Sequence, residues 1–104
     1  MSKYVLVYSG GAMNETPEAQ EKAMEEWMNW FGSLGGSVVD AGSPFGPAST
    51  VASDGSVTQG GSNQLTGYSI IEADSLSAAA KSAKGCPVLS GGGSIEVYEA
   101  LPIG

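Results

Sequence analysis

The chain has 104 residues, of which 41% are hydrophobic, and eleven acidic side chains against four lysines give it a formal net charge of −7. This length predicts a single domain over residues 1–104, and the acidity argues against binding to nucleic acid or to anionic lipid surfaces. Neither a signal peptide nor a run of about 18 apolar residues is present, so we expect a cytoplasmic protein without a membrane span.

The sequence contains no histidine and a single cysteine, Cys86. One cysteine cannot form an internal disulfide or hold a metal ion by itself. A small packed residue is the favoured interpretation over a reactive thiol, because no histidine is available to activate it. The carboxylates show no spacing typical of metal ligands, so we expect neither a metal nor a cofactor.

The first third of the chain predicts a strand followed by a helix. Residues 3–9 predict a strand whose two faces both carry apolar side chains, which is typical of a strand that is covered on both sides. Thr16 and Pro17 supply a helix start, and Gly35 a helix stop. The apolar stripe of this helix is predicted to pack on the sheet rather than to bind a cofactor. It consists of Ala23, Met24, Trp27, Trp30, Phe31 and Leu34.

Shorter elements follow. Residues 37–41 predict a second strand and residues 42–49 an ordered loop. Residues 51–57 predict a small hairpin that turns on Asp54-Gly55. Residues 60–63 predict another loop.

The last third predicts strand, helix and strand. Residues 67–73 form the first of these, Asp74 or Ser75 caps a helix that stops at Gly85, and residues 94–100 form the final strand. The order β-α-β, hairpin, β-α-β predicts an α+β fold of the ferredoxin-like split type, with an antiparallel sheet and two helices on one face. Because strands 3–9 and 68–73 are apolar on both faces, we expect a homodimer in which two sheets pack face to face.

These segments also resemble a known family, the YCII-related (DGPF-type) domains. The resemblance is carried by residues 4–11, the Trp-rich helix, residues 38–47, residues 67–76, residues 85–87 and residues 91–99. It covers nearly the whole chain and implies a dimeric α+β barrel. Some relatives use a His and an Asp; Asp40 matches the Asp position, whereas Ser9 stands where some relatives have the His.

The strand ends predict a small-ligand pocket between helix and sheet. Its candidate residues are Ser9, Asp40, Ser43, Phe45 and Tyr68. Such a pocket is expected to bind an uncharged or cationic organic molecule, because Asp40 and the net charge disfavour anions.

Asp40 has two interpretations. It is either a buried acid or base with a raised pKa, or a strand-end residue bonded to the amides of Gly42 or Ser43. Three functions therefore stay open: a small-molecule binding domain, a cofactor-free isomerase, lyase or monooxygenase that uses Asp40, and a structural dimerisation module. The lack of histidine and arginine argues against the enzyme, because proton transfer near neutral pH most often uses histidine.

Overall fold

The computed structural model of the chain describes residues 2–11, 16–61 and 64–102, and shows a mixed α+β fold in agreement with the sequence prediction. The helices and strands of this part, in chain order, are β1 (Ser2–Ser9), α1 (Pro17–Leu34), β2 (Val38–Pro44), β3 (Ser49–Val51), β4 (Val57–Gln59), β5 (Leu65–Ala73), α2 (Leu76–Ala83), α3 (Pro87–Ser90) and β6 (Ser94–Ala100). A 3₁₀ turn, Gly35–Ser37, joins α1 to β2.

Four of the strands in the described part form one sheet in the order β2-β5-β1-β6, and every neighbouring pair is antiparallel. In β1, Leu6 lies opposite Ser69 and Val97, whereas Val5 lies opposite Ile70 and Tyr98. Because side chains alternate along a strand, the sheet has two distinct faces. We call the one with Leu6 the covered face and the one with Val5 the open face.

The hydrophobic core lies on the covered face. Its buried residues are Tyr4, Leu6, Tyr8, Trp30, Ile71, Ala73, Ala79, Ala83, Cys86 and Val88. They come from β1 and β5 on the sheet side and from the three α-helices of the described part, with Cys86 at the start of α3. The helices therefore bury one face of the sheet, as predicted.

Helix α1 begins and ends where the sequence predicts. The Thr16 hydroxyl accepts a hydrogen bond from the Ala19 N–H at 3.1 Å, and Gly35 closes the helix with a φ of +57°. Trp30 is only 6% exposed, which confirms that a tryptophan of this helix packs into the core. The assignment of Met24 to the core is wrong, since its side chain is 66% exposed. Helix α1 borders a cavity along part of its length, and Met24 is among the residues that line this cavity.

The second half of the fold agrees with the prediction at the start of α2 and differs from it after the end of that helix. Ser75, and not Asp74, caps α2, because its hydroxyl accepts from the Ala78 N–H at 3.1 Å. Helix α2 ends at Ala83, and Pro87 then begins a short helix, α3, that the sequence did not predict. Proline has no N–H to lose and a φ already suited to a first helical position, which accounts for this additional turn.

The hairpin β3–β4 is present as predicted, with the Asp54 carboxylate accepting from the Ser56 N–H at 2.8 Å. The predicted loop at 60–63 lies partly outside the described residues, at positions 62 and 63.

The open face carries no helix of the described part, although its centre is apolar. Val5, Val7, Tyr68 and Ile70 are half-buried there, and Tyr98 of β6 is 54% exposed. None of the described helices is long and apolar enough to cross a membrane.

Candidate functional site

A cavity of about 640 Å³ lies between α1, one end of the sheet and α3. We call it the α1 cavity. The residues that line it include Tyr8 of β1, Ala23, Glu26, Trp27 and Phe31 of α1, Ser43 of β2, Thr66, Tyr68 and Ser69 of β5, and Val88 and Ser90 of α3. Gly10 and Gly11, directly after β1, line it as well. Its volume falls within the range of about 300–1,000 Å³ that is usual for small-ligand sites.

One wall of the cavity is aromatic. The rings of Tyr8 and Trp27 meet edge to face, with centroids 5.2 Å apart and an interplanar angle of 71°. Trp27 also packs against Phe31, one helical turn further on, at 5.9 Å. Behind them, Trp30 lies 5.8 Å from Trp27 and donates its indole N–H to the Ser82 carbonyl at 3.2 Å. The anchored Trp30 ring supports Trp27 from the side of the core, which favours a preformed wall.

A chain of hydrogen bonds runs below this wall into the sheet. The Tyr8 hydroxyl donates to Ser69 Oγ at 2.7 Å, and the Ser69 hydroxyl donates to the Ala41 carbonyl at 2.8 Å. Ser69 is fully buried and Tyr8 is 5% exposed. Burial raises the pKa of Tyr8, so its phenol is neutral near pH 7. This chain connects the central strand β1, through β5, to the edge strand β2.

Cys86 lies beside Tyr8 at the back of the same region. The thiol is buried and interacts with the Tyr8 hydroxyl. Burial raises the pKa of Cys86 to about 11. A thiol of this kind is protonated at neutral pH and is a poor nucleophile. The structure therefore agrees with the interpretation of Cys86 as a packed residue.

Two glycines let β2 approach β5 closely at the cavity floor. Gly42 has a φ of +79°, and a Cβ at this position would lie 1.7 Å from the Tyr68 carbonyl oxygen. A Cβ on Gly67 would lie 3.0 Å from the carbonyl oxygen of Ser43. Both positions therefore depend on the absence of a side chain.

The structure brings three of the five predicted site residues together. Ser43 lies opposite Tyr68 in the register of β2 and β5, and both line the cavity. The ring of Phe45 stacks on that of Tyr68, with centroids 5.8 Å apart and an interplanar angle of 22°, but Phe45 is not among the lining residues.

Ser9 and Asp40 do not join this group, which corrects the expectation that they lie close together. Asp40 pairs with Ile70 and Ser9 with Leu65, so they are about 17 Å apart along β5. Irregularities on both sides of Asp40 displace its register. Its side chain is exposed and Oδ1 accepts from the Gly42 N–H at 2.8 Å, which is the strand-end interpretation. Neither residue is among those that line the cavity.

Several lining residues were not predicted as site residues. Tyr8, Trp27 and Phe31 were assigned to the strand and the helical core stripe, and Glu26 to the solvated side of α1. One signal could have indicated Tyr8: it is the last aromatic residue of a strand that runs directly into Gly10-Gly11. A side chain at the end of a central strand, next to a glycine loop, is well placed to border a ligand site.

A scan of the sequence against models of protein families finds no match. A search of curated proteins finds no match either. The functional proposals below therefore depend on the cavity and on the surfaces of the fold.

Proposed function

We propose that this protein binds a small organic molecule in the α1 cavity. The observation that carries the proposal is a cavity of about 640 Å³ whose aromatic wall faces a small number of hydroxyl groups. Mostly apolar lining with a few polar groups that fix orientation is the usual composition of a small-ligand site.

The packing around the cavity favours binding of a flat, apolar group. A ring placed against Trp27 and Phe31 would remove apolar surface of both the ligand and the protein from water. This burial favours binding by about 25 cal/mol per Å². Edge-to-face and offset contacts with aromatic rings would add to this gain. Because Trp30 already anchors the wall through Ser82, little ordering would be needed on binding.

The test is a thermal-shift screen with a library of small aromatic and alicyclic fragments, followed by amide and indole N–H chemical-shift mapping with each hit. We expect hits to raise the midpoint of unfolding and to shift the Trp27 indole signal and the Gly10 and Gly67 amides. In Ala23→Phe, an added ring should fill the cavity and abolish both effects. Ala19→Phe is the matched control, because Ala19 precedes Ala23 by one helical turn and does not line the cavity.

Two results would contradict the proposal. One is a screen in which no fragment raises the midpoint of unfolding. The other is a set of hits that bind equally well to the wild type and to Ala23→Phe. The second result would place the ligand at another part of the surface.

We also propose that the chain is a homodimer formed through the open face, with the ferredoxin-like split β-α-β sheet of the dimeric α+β barrels. The strand order β2-β5-β1-β6 and the helical connections from β1 to β2 and from β5 to β6 support this topology. The resemblance to YCII-related domains is consistent with it and stays a prediction.

The composition of the open face supports a second copy as its partner. Its centre is formed by Val5, Val7 and Ile70, with Tyr98 exposed on β6. The Tyr98 hydroxyl donates to the carboxylate of Glu96 on the same strand, which places a polar pair beside the apolar centre. An apolar centre with polar groups around it is the usual arrangement of a protein interface.

Sedimentation equilibrium or light scattering at micromolar concentration tests the dimer. We expect twice the 10.5 kDa mass of the chain for the wild type and the single mass for Ile70→Lys, which places a charge in the centre of the face. Met28→Lys is the matched control, because Met28 is 67% exposed on α1 and should leave the dimer intact. A wild-type protein that sediments as a monomer would overturn the proposal.

A further inference from the structure

Four hydroxyl groups of residues that line the α1 cavity donate their protons to acceptors within the protein. A carbonyl oxygen only accepts, so the single proton of Ser69 must point to the Ala41 carbonyl, 2.8 Å away. The proton of Tyr8 must then point to Ser69 Oγ, because Ser69 has no second proton to give. The Tyr8 oxygen, which also interacts with the Cys86 thiol, can therefore act toward any further group only as an acceptor.

Two further hydroxyl groups also donate their proton to a backbone carbonyl. The Thr66 hydroxyl donates to the Gly10 carbonyl at 3.2 Å, and the Ser90 hydroxyl donates to the Pro87 carbonyl at 2.8 Å. Both residues line the cavity and both are exposed. Each oxygen keeps a lone pair for a donor on the ligand.

Two backbone donors of the lining are also occupied. The Gly42 N–H donates to Asp40 Oδ1 at 2.8 Å, and the Gly10 N–H donates to the Gln64 carbonyl at 3.4 Å. The Gln20 amide, the Trp27 indole N–H and the Ser43 hydroxyl also belong to the residues of the lining, and all three groups are neutral. The four hydroxyl groups described above can therefore serve a ligand only as acceptors.

The charge of the lining also favours a ligand that donates hydrogen bonds and carries a positive charge. Among the described residues that line the cavity, Glu26 is the one charged side chain. An anionic ligand would find no counter-charge there, and the net charge of −7 would add a general repulsion. A cation would meet a carboxylate, acceptor oxygens and the faces of aromatic rings, all of which attract it.

If the α1 cavity is the ligand site proposed above, we propose that its ligand is a primary or secondary amine attached to an aromatic or alicyclic ring, bound in its protonated form. The ring lies against Trp27 and Phe31. The ammonium group donates to the hydroxyl oxygens of the lining, and Glu26 supplies the opposite charge.

Matched fragments that differ only in the charge of one end test this inference. The first set is 2-phenylethylamine, 2-phenylethanol and 3-phenylpropionate, and the library contains further triplets of the same kind built on other rings. Binding is measured by calorimetry at pH 7 and low salt. We expect each amine to bind about tenfold more tightly than the matching carboxylate, with the alcohol between them.

Two variants of α1 separate a local effect of Glu26 from the effect of net charge. Glu26→Gln should reduce the preference for amine over carboxylate to about twofold, because it removes the carboxylate that lines the cavity. Glu25→Gln makes the same change in net charge at an exposed position outside the lining, and should leave the preference nearly unchanged. Raising the salt concentration should weaken the binding of the amine and leave the affinity of the alcohol unchanged.

The outcomes distinguish this inference from the proposal on which it depends. Cavity ligands in which alcohols or carboxylates bind as tightly as amines would overturn the amine inference and leave the small-molecule site intact. An equal loss of preference in Glu25→Gln and Glu26→Gln would also overturn it, because net charge alone would then explain the result. A library without any cavity ligand would overturn both proposals.

Discussion

Replacement of Ser69 by alanine should destabilise the fold far more than the removal of one exposed hydroxyl would. Ser69 is 0% exposed, and its hydroxyl both accepts from Tyr8 and donates to the Ala41 carbonyl. Ser69→Ala removes two hydrogen bonds and leaves the Tyr8 hydroxyl, 5% exposed, without its acceptor. Because Ala41 is exposed, water can take over its carbonyl. We expect a loss of about 2–3 kcal/mol in the free energy of unfolding, chiefly from the unpaired Tyr8 hydroxyl.

Tyr8→Phe should cost less, at about 1 kcal/mol, because Ser69 keeps its bond to Ala41 and no buried donor is left unpaired. In the double variant, position 8 has no hydroxyl group, so Ser69→Ala leaves no buried donor without an acceptor there. The two losses should therefore not add: we expect about 2 kcal/mol for the double variant and a coupling of about 1–2 kcal/mol.

Urea unfolding followed by tryptophan fluorescence measures all four proteins of this cycle. The protein concentration must be held fixed, since dimer formation would make the midpoint depend on it. Equal slopes in urea would show that the variants unfold from equally compact states. Losses that add within about 0.5 kcal/mol would refute the coupled chain of hydroxyls, as would a Ser69→Ala variant of wild-type stability.

Three more predictions follow from burial and backbone geometry. Trp30→Ala should lower the free energy of unfolding by about 3–5 kcal/mol, whereas Met28→Ala on the exposed side of α1 should change it by less than about 0.5 kcal/mol. Gly42→Ala should cost more than about 3 kcal/mol because its Cβ would overlap the backbone of β5, while Gly46→Ala, with open space around it, should be nearly neutral. Burial raises the pKa of Cys86 from 9.0 to about 11, so the thiol stays protonated to a higher pH in the folded state than in the unfolded state. The free energy of unfolding should therefore fall by about 1.4 kcal/mol per pH unit between pH 9 and pH 11. Cys86→Ala should flatten this alkaline slope in unfolding curves, and an unchanged slope would assign it to other groups such as Tyr8.

The features that the sequence predicts correctly are those set by short stretches of chain. Thr16 followed by Pro17 starts α1, and Asp54-Gly55 turns the hairpin, because the capping and turn interactions join residues within a few positions of each other. The alternation in β1 likewise separates its two faces without knowledge of any partner strand. The covered and open faces of the sheet follow from these local patterns.

The site is less predictable because it depends on contacts between distant segments. Trp27 and Phe31 belong to an apolar stripe, and no pattern within α1 tells whether that stripe rests on the sheet or borders a cavity. The position of Asp40 depends on two irregularities in the pairing of β2 with β5. These arise where Gly42 approaches Tyr68, 26 positions further along the chain, a contact that the spacing of residues does not reveal.

Strand β5 connects the two proposed functions, because its alternate residues serve different faces. Ser69 takes part in the hydroxyl chain below the cavity, and its neighbour Ile70 lies at the centre of the open face. Side chains on opposite faces of a strand make few shared contacts, so each function can be disturbed alone. Ile70→Lys should abolish the dimer and leave the Tyr8–Ser69 hydrogen bond in place. Tyr68 is the exception: it is among the residues that line the cavity, while its ring lies on the open face and stacks on Phe45. If binding of a ligand changes the dimer affinity, Tyr68 is the residue through which the structure permits it, and Tyr68→Ala should remove that coupling.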